Sequence, residues 1–210
     1  MVQQNSEKLI WVGLTGGLGT GKSTVAELLK SKGYSVADAD QLAKEAVAPG
    51  SSGLNSLVQK YGQKILNSNQ ELDRKVLAAI IFSQPQEKDF VESVIHPFVQ
   101  QRVQQYREQW QAEGQPVAFY DVPLLFEKNL KSQFDLVVVV AAPQELQIPR
   151  LKQRTGWSES EIKMRLESQW PLNLKIQGAD FVLHNEGSKE ELSQKIDELL
   201  PKLRNWKTKA

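Results

Sequence analysis

Apolar positions along the chain fall into two rhythms. From Leu9 to Leu14 the run Leu-Ile-Trp-Val-Gly-Leu breaks off in glycines, the pattern of a buried strand entering a tight loop. Val137–Val140 is apolar without alternation, as in a strand covered on both faces. Tyr34–Ala37, Val117–Val122, Leu136–Ala141 and Phe181–His184 complete the strand candidates. Between them the period lengthens. Val25, Leu28 and Leu29 share one helical face, and Gly33 supplies a C-terminal stop. Strands alternating with helices predict an α/β fold in three layers around a parallel sheet of about five strands.

Two intervals are too long for simple crossovers, which need only a dozen or more residues. Residues 41–115 predict a helical insertion: Leu54, Leu57, Val58 and Tyr61 recur at helical spacing, as do Val76, Leu77, Ile80 and Ile81, then Phe98, Val99, Val103 and Tyr106. Residues 143–178 predict a second one, made basic by Arg150, Lys152, Arg154, Lys163 and Arg165 around Gly156, in the manner of a mobile lid. Capping-box spacings at Ser158–Glu161 and Ser188–Glu191 mark helix starts, the latter before Leu192, Ile196, Leu199 and Leu203. With no repeat or low-complexity linker, residues 1–210 read as one domain with elaborations.

Composition narrows the partners. The chain is 40% hydrophobic and 24% charged with a net charge of +1, which gives no overall drive toward nucleic acid or a membrane surface. Met1 to Lys8 is polar, no apolar run is long enough to span a bilayer, and cysteine is absent. A cytoplasmic protein with small partners is the expectation.

The chemistry begins where the first strand ends. Gly16-Gly17-Leu18-Gly19-Thr20-Gly21-Lys22-Ser23 matches the phosphate-binding loop, whose backbone N–H groups enclose phosphate oxygens at the positive end of a helix. The glycines allow close backbone approach, Lys22 reaches the β and γ phosphates, and the Ser23 hydroxyl ligates magnesium. In open parallel sheets the ligand lies beyond the carboxyl ends of the strands, which draws attention to Asp38-Ala39-Asp40 and to Asp121. With the second strand beside the first, Asp40 suits a general base facing an acceptor hydroxyl. The alternative is an Asp capping the helix that follows. Asp38 is structural or linked to magnesium. Asp121 suits the metal side of the site, against a turn-forming role before Pro123. Arg150 and Arg154, four apart, share one helical face and point at a transferring phosphoryl group, unless they form a solvated basic surface.

Several separated blocks together resemble the dephospho-coenzyme A kinases along nearly the whole chain. They are the phosphate loop, Asp38-Ala39-Asp40, Leu72-Asp73-Arg74, Val91-Glu92 with His96-Pro97, Val122 to Glu127, Arg150 with Arg154, and Ala179-Asp180 before Asn185. The resemblance implies a phosphate-loop kinase fold and transfer of a phosphoryl group from ATP, with magnesium, to the ribose 3′-hydroxyl of dephospho-coenzyme A. It implies that Asp40 is the base, that Lys22, Thr15 and Arg150 act in catalysis, and that the helical insertion receives the acceptor through Asp40, Arg74 and His96. Gly17, Gly19, Thr20, Gly21, Lys22, Ser23, Thr24 and Arg154 would bind the nucleotide, with Asn185 bordering the adenine, and Ser23 and Asp121 would hold the metal. His96 alternatively caps a helix beginning at Pro97. Pro149 departs from the pattern: inside a helix it predicts a kink that alters the reach of Arg150. A shikimate-type kinase shares the loop and the paired aspartates, but this chain has Pro123-Leu124-Leu125-Phe126-Glu127 where such kinases carry a glycine-rich acceptor loop. A nucleotide-binding regulatory module is the non-enzymatic alternative, and the Asn-Lys-x-Asp sequence of guanine recognition is absent.

Overall fold

The computed structural model describes residues 8–206, and the polar stretch from Met1 to Glu7 lies outside them. In chain order the elements are β1 (Ile10–Gly16), α1 (Lys22–Ser31), β2 (Ser35–Asp38), α2 (Ala39–Glu45), α3 (Ser52–Tyr61), α4 (Arg74–Ser83), α5 (Pro85–Ala112), β3 (Val117–Asp121) and β4 (Leu136–Ala141). They continue with α6 (Gln144–Thr155), α7 (Glu159–Glu167), α8 (Leu172–Gly178), β5 (Phe181–His184) and α9 (Lys189–Arg204). The five strands form one sheet in the order β2-β3-β1-β4-β5. β1 pairs in parallel with β3, Leu14 opposite Asp121, and with β4, Gly16 opposite Val140.

The strand order corrects one expectation, because β3 rather than β2 lies beside β1. Burial explains the choice. Every residue of β3 is buried, whereas only Ala37 is buried in β2, so the apolar Val117–Asp121 segment suits the interior and the half-exposed strand suits an edge. β4 is buried throughout, as its unbroken apolar run requires.

The chain divides into two compact units, one made of residues up to Ala37 and from Arg107 onward, the other of Asp38–Tyr106. In the first, Val25 and Leu29 of α1 and Leu192, Ile196 and Leu203 of α9 join Val12, Leu14, Phe119, Val138 and Val140 in one core. Each such side chain contributes about 1.5–3 kcal/mol on full burial. Elsewhere in this unit Trp11 stacks on Tyr120 and Phe134 and is tilted against Trp110.

The second unit is helical. Its core gathers Val47, Leu57, Ile65, Leu77 and Val91. Tyr61 donates to Glu87 Oε2 at 2.6 Å, and Lys60 pairs with the same oxygen. Burial and the neighbouring Glu87 carboxylate push the Tyr61 phenol well above its ordinary pKa. Ser51 and Asp73 cap α3 and α4, accepting from Leu54 N, and from Lys75 N and Val76 N. The helix anticipated from Phe98 begins instead at Pro85. Pro97 therefore lies inside α5, and His96 caps nothing.

Candidate active site

β1 delivers the chain at Gly16 and α1 takes it up at Lys22, so the phosphate loop is the turn between a central strand and a helix N-terminus. Thr20 closes it from within: its amide and its Oγ1 both donate to Gly17 O, at 3.3 and 2.8 Å, and the side chain is fully buried. From the far end of the sheet Asn185 Nδ2 donates to Thr20 O at 2.8 Å. Gly21 has φ +90°, and a Cβ there would collide with Asn185 Nδ2, so glycine is required twice over. No acidic residue occupies the first turn of α1 and no side chain caps it, which leaves its positive end suited to an anion.

Lys22 makes an ion pair with Asp121, whose side chain is nearly fully buried at the end of β3. Ser23 is exposed in the first turn of α1. Thr15 is buried, and its Oγ1 donates to Pro123 O at 3.2 Å. Among the described residues no cluster of three or more His, Cys, Asp or Glu could hold a metal ion. A hydroxyl and a carboxylate are hard oxygen donors. That set fits magnesium, which keeps most of its shell as water and phosphate oxygens.

Beside the loop opens a cleft of about 420 Å³ whose walls include Gly19, Gly21, Ser23, Thr24, Arg150, Arg154 and Asn185. Seven of the anticipated nucleotide and catalytic residues thus meet in one place. α6 runs on through Pro149, which lies on its exposed side, and Arg150 Nη1 still donates to Asn185 O at 3.1 Å. A larger cavity of about 860 Å³ is lined by Gly17, Leu18, Gln147, Trp170, Leu172 and His184, among others.

Sequence reasoning gave no role to three polar groups here, although Glu127 lies in one of the family-like blocks. Lys175 of α8 is fully buried and pairs with Glu127 Oε1 at 2.7 Å. Its Nζ also lies 3.4 Å from Pro123 O and 3.5 Å from Gly16 O. Glu127 Oε1 accepts in addition from Trp170 N at 3.0 Å, while Phe126 stacks on the Trp170 ring. Gln147, also buried, donates from Nε2 to Ala142 O at 2.6 Å. A lysine on a short helix reads as solvated surface even between Leu174 and Ile176, because lysine is almost never fully buried unless paired, and the partner Glu127 is far away in sequence.

In the helical unit the candidates stand differently. Asp38, in extended conformation, is the N-cap of α2 and accepts from Gln41 N at 3.0 Å. Asp40 is already in the first helical turn and exposed, so the capping role belongs to Asp38. Arg74 opens α4, exposed, after the Asp73 cap, and His96 is exposed on α5.

Comparison with known proteins agrees in kind. The family model described as dephospho-CoA kinase matches residues 10–191. The dephospho-CoA kinase of Bdellovibrio bacteriovorus is 43% identical over 197 residues, 94% of this chain and 98% of that protein. That of Geobacillus kaustophilus is 38% identical over 195 residues, 93% and 96% of the two chains. Among solved structures, TT1252 from Thermus thermophilus superposes with a TM-score of 0.81 at 34% identity, covering 94% of this chain and 99% of that one. Dephospho-CoA kinase from Campylobacter jejuni gives 0.69 at 26% identity, covering 93% and 98%.

Proposed function

The chain belongs to the dephospho-CoA kinase family, whose members phosphorylate the 3′-hydroxyl of dephospho-CoA in the last step of coenzyme A synthesis, and on that premise we propose roles for its residues. The observation that carries the nucleotide-side roles is the meeting of Gly19, Gly21, Ser23, Thr24, Arg150, Arg154 and Asn185 in one cleft beside the phosphate loop, while the acceptor-side roles rest on the family.

ATP lies along that loop. Lys22 exchanges Asp121 for the β and γ phosphates, and the N–H groups from Gly17 to Thr24 take the phosphate oxygens. Ser23 and Asp121 would hold magnesium, which would supply positive charge against that of the phosphates. Asn185 borders the adenine, and Arg154 adds positive charge to the same cleft. The acceptor, dephospho-CoA, is taken by the helical insertion of residues 41–115 through Arg74 and His96. Asp40 orients its ribose 3′-hydroxyl and removes the proton as that oxygen forms its bond to the γ phosphorus and the bond to the β-bridging oxygen breaks. Arg150 stabilises charge gathering on the transferring group, and Thr15 supports the loop from β1. Residues 143–178 act as the lid that excludes water, and the cytoplasm is the proposed location.

The test is an acceptor panel with ATP and magnesium, followed by phosphorus NMR of each product. Dephospho-CoA gains a 3′-phosphate. Preferred phosphorylation of shikimate, a nucleoside or a nucleoside monophosphate would reject the proposal.

A further inference from the structure

Lys175 is the one lysine buried without any exposure among the described residues, and no role above uses it. Its ammonium group meets three acceptors belonging to two different stretches of chain. Glu127 Oε1 at 2.7 Å and Pro123 O at 3.4 Å lie after β3, and Gly16 O at 3.5 Å is the last carbonyl of β1. Pro123 O also accepts from Thr15 Oγ1 at 3.2 Å, so β1, the segment after β3 and α8 converge on one carbonyl. Gly16 carries the carbonyl half of the first peptide of the phosphate loop. That peptide is planar and trans, so holding its oxygen toward Lys175 turns the Gly17 N–H to the opposite side. Gly17 in turn accepts both bonds from Thr20 that close the loop.

We propose that Lys175, held by Glu127, is a positioning residue for phosphoryl transfer: it sets the plane of the Gly16–Gly17 peptide from beneath and so ties the phosphate loop to α8. The assignment rests on the kinase reading given above. Its charge is matched by Glu127, so the pair orients the loop without adding net charge under the phosphates. An ion pair that served stability alone is replaceable by apolar side chains of similar volume, often at no cost or with a gain. A positioning group is not replaceable in that way, since its two carbonyl contacts disappear with it.

The experiment compares wild type, Lys175→Met, Glu127→Gln and the double variant Lys175→Met/Glu127→Met, each assayed with ATP and dephospho-CoA at a temperature where circular dichroism shows it folded. Lys175→Met lowers both melting temperature and kcat, because Glu127 is left as an uncompensated carboxylate. The double variant regains the melting temperature, yet its kcat stays lower by tenfold to a hundredfold, on the order of the loss from a misplaced reacting geometry. Glu127→Gln loses less kcat than Lys175→Met, since the ammonium still reaches Gly16 O and Pro123 O. Recovery of wild-type kcat together with stability in the double variant overturns the proposal. Should the double variant not fold, a kcat loss in Glu127→Gln equal to that in Lys175→Met overturns it instead. Failure of the wild type to phosphorylate dephospho-CoA strikes the kinase reading and not this one.

Discussion

The two compact units differ in how far they bury their candidate polar residues. In the sheet unit Thr15, Thr20, Asp121, Lys175 and Asn185 are buried, each with a partner on the loop or beside a strand end, while Ser23 and Arg154 at the mouth of the cleft are exposed. In the helical unit Asp40, Arg74 and His96 are exposed. The difference shows where organisation is built in before any ligand arrives. A phosphate site works through dipoles and charges fixed in place, which costs least when neighbouring groups already hold them. Exposed charges on helices perturb stability little, so the helical unit keeps these side chains at no great cost to its core.

Several substitutions would break or sharpen this contrast. The largest effect is expected for Lys22→Ala, which removes the charge proposed to meet the β and γ phosphates. Turnover falls by a factor on the order of 10²–10³, the scale for loss of a charge-stabilising donor, while circular dichroism still reports a folded chain. Near-normal turnover in the folded variant would remove the phosphate site from this loop.

Asp40→Asn comes next, from the exposed side of the comparison. It keeps shape and hydrogen bonding but loses basicity, so kcat falls about a hundredfold with an unchanged melting temperature. Asp38→Ala behaves inversely, losing about 1 kcal/mol of stability with the cap of α2. Equal stability losses in the two variants, with kcat intact for Asp40→Asn, would make Asp40 structural.

Arg150→Ala is expected to lower kcat about tenfold, equivalent to roughly 1.4 kcal/mol of transition-state stabilisation, with a smaller change in KM for ATP. Should only the KM values rise, Arg150 holds the ligand and does not act on the transferring group. The smallest effects belong to Arg74→Ala and His96→Ala. Each raises KM for dephospho-CoA a few-fold, leaves KM for ATP alone and shifts stability by less than about 0.5 kcal/mol, as exposed positions usually do. A matching rise in KM for ATP would erase the distinction between the two units.

Legibility followed the range of the physics involved. Strands β3, β4 and β5 lie within a residue of their apolar runs, and α1 buries Val25 and Leu29 on the face anticipated for them. The capping box at Ser158–Glu161 is formed in full. These features depend on neighbours a few residues away, so local pattern suffices. α5 was harder, because its first turns around Val91, Val94 and Ile95 pack into a core assembled from α3 and α4, and Pro97 looked like a beginning. Tertiary packing there supports a helix through a residue that local rules would use as a boundary.

The amino-acid sequence by itself determined the glycine loop between strand and helix, the five-strand α/β class and the blocks that mark the family, because spacing and residue type carry each of them. Only the tertiary structure decided that β3 separates β1 from β2, that Asp38 rather than Asp40 caps α2, and that Arg150 reaches Asn185. It alone buried Lys175 against Glu127 beneath Gly16. The physical reason is distance along the chain: Gly16 and Lys175 are brought together by the packing of α8 against the sheet, and neither residue's neighbours in sequence carry a sign of the other.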